Sequence, residues 1–85
     1  MRRKFCVTVH STPPQRYRED GGAWHTRLNA ILGEHTLQYE NVGGGADDHE
    51  AEDDYEVVVE NELGEYRLLM VLANAGYMPR IWGRS

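Results

Sequence analysis

The apolar residues of this chain change their spacing several times within 85 residues, and that change limits the fold more than any other feature. The stretch "KFCVTVHS" alternates: Phe5, Val7 and Val9 point one way, and Cys6, Thr8 and His10 the other. A period of two describes a strand with one buried face. Pro13 and Pro14 end it. In "AWHTRLNAILG" the period lengthens, with Trp24, Leu28, Ile31 and Leu32 on one side of a helix expected near 22–33. Asp20 is the expected N-cap and Gly33 the expected left-handed C-cap. Such a chain must lay a helical stripe on one face of a sheet.

The remainder continues the pattern. "HTLQYENV" predicts a polar strand near 35–42, with Leu37 and Tyr39 on one face. "YEVVVEN" predicts an apolar strand near 54–60, with Tyr55, Val57 and Val59 on one face and Glu56, Val58 and Glu60 on the other. "NELGEYRLLMVLANAGY" admits two readings: a strand forming a hairpin with the one before it, or a helix near 62–75. The helix is favoured. Asn61 suits its N-cap, Glu62 and Glu65 sit near the positive end of the dipole, and "ANAG" suits its end. "YMPRIW" predicts a last strand near 77–82, which Pro79 restricts to an edge.

The order β-α-β-β-α-β resembles the ferredoxin-like fold over nearly the whole chain. That resemblance implies an α+β domain, with four antiparallel strands and two helices on one face. It also puts the first and third strands, the apolar ones here, at the centre. The fold by itself names no function. Residues 1–85 form a single domain with a small core. No apolar run approaches the ~20 residues that span a bilayer, and the lone Cys6 excludes an internal disulfide. A cytoplasmic location is expected.

Charge is strongly segregated. The formal net charge is −5, yet "GGGADDHEAEDDYE" contains seven Asp or Glu among the ten residues from Asp47 to Glu56. A flexible acidic loop is expected at about 43–54, hinged on Gly43, Gly44 and Gly45. Either it is a solvated loop, or it is an electrostatic contact surface.

Other chemistry finds little support. Nucleic-acid binding through the sheet requires exposed aromatics beside Lys or Arg, whereas Glu56 and Glu60 would repel phosphate. Cys6 and His10 share a strand face at roughly 13 Å, too far apart for a nucleophile and its base. His10, His25, His35 and His49 lack metal-ligand spacing, and "DDHEAEDD" lacks the ligand pattern of a calcium loop. No catalytic residue, cofactor or dedicated metal site is assigned, and neither a direct nucleic-acid partner nor a membrane is expected.

A small acidic domain carrying "ADDHEAEDDYE" and no catalytic motif is similar in type to bacteriophage-encoded inhibitors, anti-CRISPR proteins among them. That resemblance implies a partner with a basic surface, bound through Asp47, Asp48, Glu50, Glu52, Asp53, Asp54 and Glu56. A second candidate interface is the last strand, where Tyr77, Arg80 and Trp82 offer a site for homodimerisation. The alternative function is a small enzyme or an oligomeric ligand-binding module, with a cleft around His10, His35 or Cys6.

Overall fold

The computed structural model describes residues 1–11, 22–46 and 51–84. Its elements run β1 (Arg3–Ser11), α1 (Ala23–His35), β2 (Gln38–Ala46), β3 (Ala51–Val59), α2 (Glu62–Asn74) and β4 (Met78–Arg84). The four strands make one sheet in the order β2-β3-β1-β4, with each neighbouring pair antiparallel. This is the ferredoxin-like α+β arrangement that the element order resembles, with β1 and β3 central. Neither helix is long and apolar enough to cross a membrane.

The core lies between the helices and one face of the sheet. Phe5, Val7 and Val9 of β1 and Tyr55, Val57 and Val59 of β3 meet Trp24, Leu28 and Leu32 of α1 and Leu68 and Leu72 of α2. All of these side chains are buried. Alternation along the strands and the 3.6-residue period along the helices deliver them to one layer. The segment Glu62–Asn74 is therefore helical.

Several boundaries differ from the sequence expectation, each for a local reason. The N-cap of α1 is Gly22, in a left-handed conformation at φ 93°; Asp20 lies outside the described residues. Gly33 does not end α1. The helix continues to His35, and Thr36 closes it by donating its amide and its hydroxyl to the Leu32 carbonyl. Leu37 is therefore exposed before the strand begins, and β2 starts three residues later than expected.

The caps of α2 match the sequence more closely. Asn61 accepts a hydrogen bond from the Gly64 amide, and Gly76 adopts φ 94°. The Tyr77 amide donates to the Leu72 carbonyl and the Gly76 amide to that of Ala73, a Schellman ending. Glu65, buried on the inner side of α2, accepts two hydrogen bonds from Arg84 at 2.5 and 3.2 Å. This contact ties β4 to the helix layer. Hydrogen bonding to Glu65 raises the Arg84 guanidinium above its ordinary pKa.

Both edge strands carry a bulge. Val42 is the extra residue of β2, between Asn41 and Gly43, and Trp82 is the extra residue of β4, opposite Cys6 and Val7. Bulges twist an edge and make it a poorer template for another strand.

Candidate functional site: the carboxylate face of the sheet

The acidic segment is not one loop from 43 to 54. β2 runs through Ala46 and β3 begins at Ala51, so Gly43–Ala46 pairs with Ala51–Asp54 as regular antiparallel strand. The reason is a period of two hidden among the acids. Ala51, Asp53, Tyr55, Val57 and Val59 all point inward and are buried. Glu52, Asp54, Glu56 and Val58 point to the face that carries no helix. Of the expected partner-binding residues, the structure thus brings Glu52, Asp54 and Glu56 together on one surface. Asp53 lies on the opposite face, and Asp47, Asp48 and Glu50 lie outside the described residues.

A fourth carboxylate joins this surface. Glu40 of β2 stands directly opposite Glu56. Like charges directly opposed across a strand pair are destabilising. Successive outward residues of a strand are about 6.8 Å apart and neighbouring strands about 4.8 Å, so the four carboxylates form a close two-row array. Some charge is balanced locally. Lys4 pairs with Glu56 at 3.2 Å, and His10 Nδ1 lies 3.6 Å from Glu52. Thr8 donates its hydroxyl to Asp54 at 2.5 Å and is itself buried. Arg80, opposite Thr8 in the register, shares this face. The array stands on β3 and β2 and is tied to β1 through Lys4, Thr8 and His10, so it is fixed in place.

Asp53 has a different environment. Its carboxylate is 4% exposed, in a row of apolar side chains. His25 Nε2 lies 3.0 Å from Oδ2, and the Tyr55 hydroxyl donates to the same oxygen at 3.4 Å. Among the described residues no buried side-chain nitrogen or oxygen lacks a hydrogen-bond partner. Space for the carboxylate comes from Gly44. This residue holds φ 137°, and a Cβ there would meet the Glu52 carbonyl oxygen at 2.7 Å and the Asp53 Cα at 2.8 Å as well as the Asp53 carboxylate. The triple glycine is therefore no hinge. Asp53 and His25 share an open concavity with Asn29, Asn41, Gly43, Gly44 and Tyr55.

The remaining sequence candidates separate. Cys6 and His10 are half-buried on the carboxylate face of β1, while His35 ends α1 and lines a different shallow groove with Leu37, Leu63 and Arg67. Cys6 and His10 thus share one face of the sheet, and His35 lies apart from both. At the last strand, Tyr77 is buried and donates its hydroxyl to the Trp24 carbonyl at 2.8 Å. It belongs to the core, which corrects its place in the second interface. Arg80 and Trp82 are exposed on the edge strand, Trp82 at 55%.

Sequence reasoning missed Glu40 and His25. Placing Glu40 opposite Glu56 needs the hairpin register, which the bulge at Val42 hides. Finding His25 needs the recognition that Asp53 points inward. Among the described residues no group of three or more His, Cys, Asp or Glu is arranged to hold a metal ion. No protein-family model matches the chain, and no curated protein matches it either.

Proposed function

We propose that this chain is a protein-binding module whose carboxylate face docks on a basic, nucleic-acid-binding groove of another protein and thereby inhibits it. The observation that carries this reading is the array of Glu40, Glu52, Asp54 and Glu56 on the open face of the sheet. Its spacing along β3 is comparable with that of successive phosphates along a nucleic-acid strand. Carboxylates fixed on a sheet can replace phosphates without the ordering cost that a mobile loop incurs. Surface charge of one sign also accelerates encounter with a surface of the other. An anti-CRISPR-like role, with a host or defence protein as the target, is one form of this function.

The test compares the wild type with the triple variant Glu40→Gln, Glu52→Gln, Glu56→Gln. Asp53 and Asp54 are kept because each holds a structural contact. Each protein is immobilised and exposed to lysate at low salt and at roughly 0.5 M salt, where the screening length falls well under 8 Å. The expected result is capture of a basic protein by the wild type at low salt, displaced by a nucleic-acid duplex and lost in the variant. Equal capture by a folded triple variant would refute the proposal.

A second reading, a small ligand-binding or catalytic module, draws on the concavity beside His25. The buried Asp53 carboxylate orients the imidazole there, and Asn29 and Asn41 offer further polar groups. Backbone amide shifts confined to these residues on titration with small polar compounds would favour it over the docking surface.

A further inference from the structure

Helix α2 has two apolar sides. Its inner side buries Leu68 and Leu72 together with Glu65. Its outer side exposes Leu63 at 54%, Tyr66 at 60% and Met70 at 47%, and Ala73 is exposed in the same row. These four follow one another at intervals of three, four and three residues, the spacing of the seam in a two-stranded coiled coil. At 100° per residue, Leu63 and Met70 lie opposite the side that packs the core, and Tyr66 and Ala73 lie about 110–130° from it, on one flank.

The charges beside this row identify the occupant. Glu62 precedes Leu63 and Arg67 follows Tyr66, which puts them on opposite flanks of the seam. In a parallel pair of such helices, a residue on the first flank meets the residue five positions later on the partner. Glu62 of each copy then meets Arg67 of the other, twice about the twofold axis. An antiparallel pair would instead bring the two Arg67 side chains together near the axis. Glu62 has 82% of its side chain exposed, with a long contact to Arg3 at 3.7 Å and the Arg84 charge in its neighbourhood, so most of its surface is accessible to a partner.

We infer that α2 pairs in parallel with α2 of a second copy of this chain, through Leu63, Tyr66, Met70 and Ala73, with reciprocal Glu62–Arg67 ion pairs. The helix has 13 residues, a seam of about 20 Å. A single helix face of that length covers less than the ~800 Å² per partner of a stable interface, so the dimer is weak and concentration-dependent. It leaves the carboxylate face of each copy free on the outside, presenting two docking surfaces at once.

Sedimentation equilibrium from roughly 10 μM to 1 mM tests the inference, a range that covers weak association constants. The average mass of the wild type should climb from 9.7 kDa toward twice that value. Met70→Glu should stay monomeric while keeping its helical circular dichroism. Glu62→Lys and Arg67→Glu should each weaken association about fivefold, the order of a small charge-pair coupling. The two together should restore it. A wild type that remains monomeric throughout overturns the inference. So does association that survives Met70→Glu and falls with Trp82→Ala, which would place the contact on β4. Failure of the double charge exchange to recover association overturns the parallel arrangement.

Discussion

Replacing Gly44 by Ala separates a rigid acidic hairpin from a flexible one. The residue holds φ 137°, a region that residues with a side chain rarely enter, at a cost of about 1–3 kcal/mol. Its new Cβ would also stand 2.7 Å from the Glu52 carbonyl oxygen and 2.8 Å from the Asp53 Cα. Both are backbone atoms that cannot turn aside, and crowding of this kind costs a further ~1–3 kcal/mol. The sum, about 2–6 kcal/mol, is a large part of the roughly 4–13 kcal/mol available to a domain of this length. The melting temperature should fall by ~10 °C or more. Gly45 is the control, because a Cβ there has nothing within 4 Å. Gly45→Ala should stay within about 0.5 kcal/mol of the wild type. Gly43→Ala should fall between the two, since its Cβ would meet the Asp54 side chain, with Oδ2 at 3.0 Å. Urea denaturation of the three variants, with the slope monitored, measures all of this. Equal midpoints for Gly44→Ala and Gly45→Ala would refute the close approach of Asp53 to β2 and restore the hinge.

Two further outcomes follow from the same strands. The His25–Asp53 contact should appear in a double-mutant cycle of His25→Ala and Asp53→Asn as a coupling of about 0.5–3 kcal/mol, and strict additivity in urea denaturation would show that the pair contributes nothing. Glu40→Gln should raise stability by about 0.2–1 kcal/mol, because it removes a like charge directly opposite Glu56; a loss of stability on thermal denaturation would count against repulsion there.

The fold was legible because its two periods are carried by residues with no other reason to alternate. Phe5, Val7, Val9, Tyr55, Val57 and Val59 face the core, and Trp24, Leu28 and Leu32 cover them. The hairpin between β2 and β3 was harder to read. Ala51, Tyr55, Val57 and Val59 carry the inward period, but Asp53 interrupts it with a charge that composition assigns to solvent. Its partners, His25 and the gap at Gly44, lie 28 and 9 residues earlier in the chain, so no local window contains them. Gly33 misled in the opposite direction. Glycine is common just after a helix, yet it costs only about 1 kcal/mol inside one, and the burial of Leu32 with continued turns to His35 outweighs that cost. The acidic surface was legible as a composition and not as an arrangement, because the arrangement depends on the register.

The strand order also bears on how the chain comes to fold. β1 pairs with β3 and β4, both of which follow it by some 40 residues or more. β2 and β3 are neighbours in sequence and can close as soon as they are made. On the ribosome, β1 therefore emerges well before the strands that will pair with it. An alternating apolar segment left unpaired in this way invites pairing with another nascent chain. Arg2, Arg3 and Lys4 stand immediately beside it, and three adjacent positive charges oppose the stacking of identical segments. Arg3 and Lys4 of this cluster later pair with Glu62, Glu65 and Glu56. The charges that guard the first strand during synthesis become contacts of the folded state once the acidic half of the chain arrives.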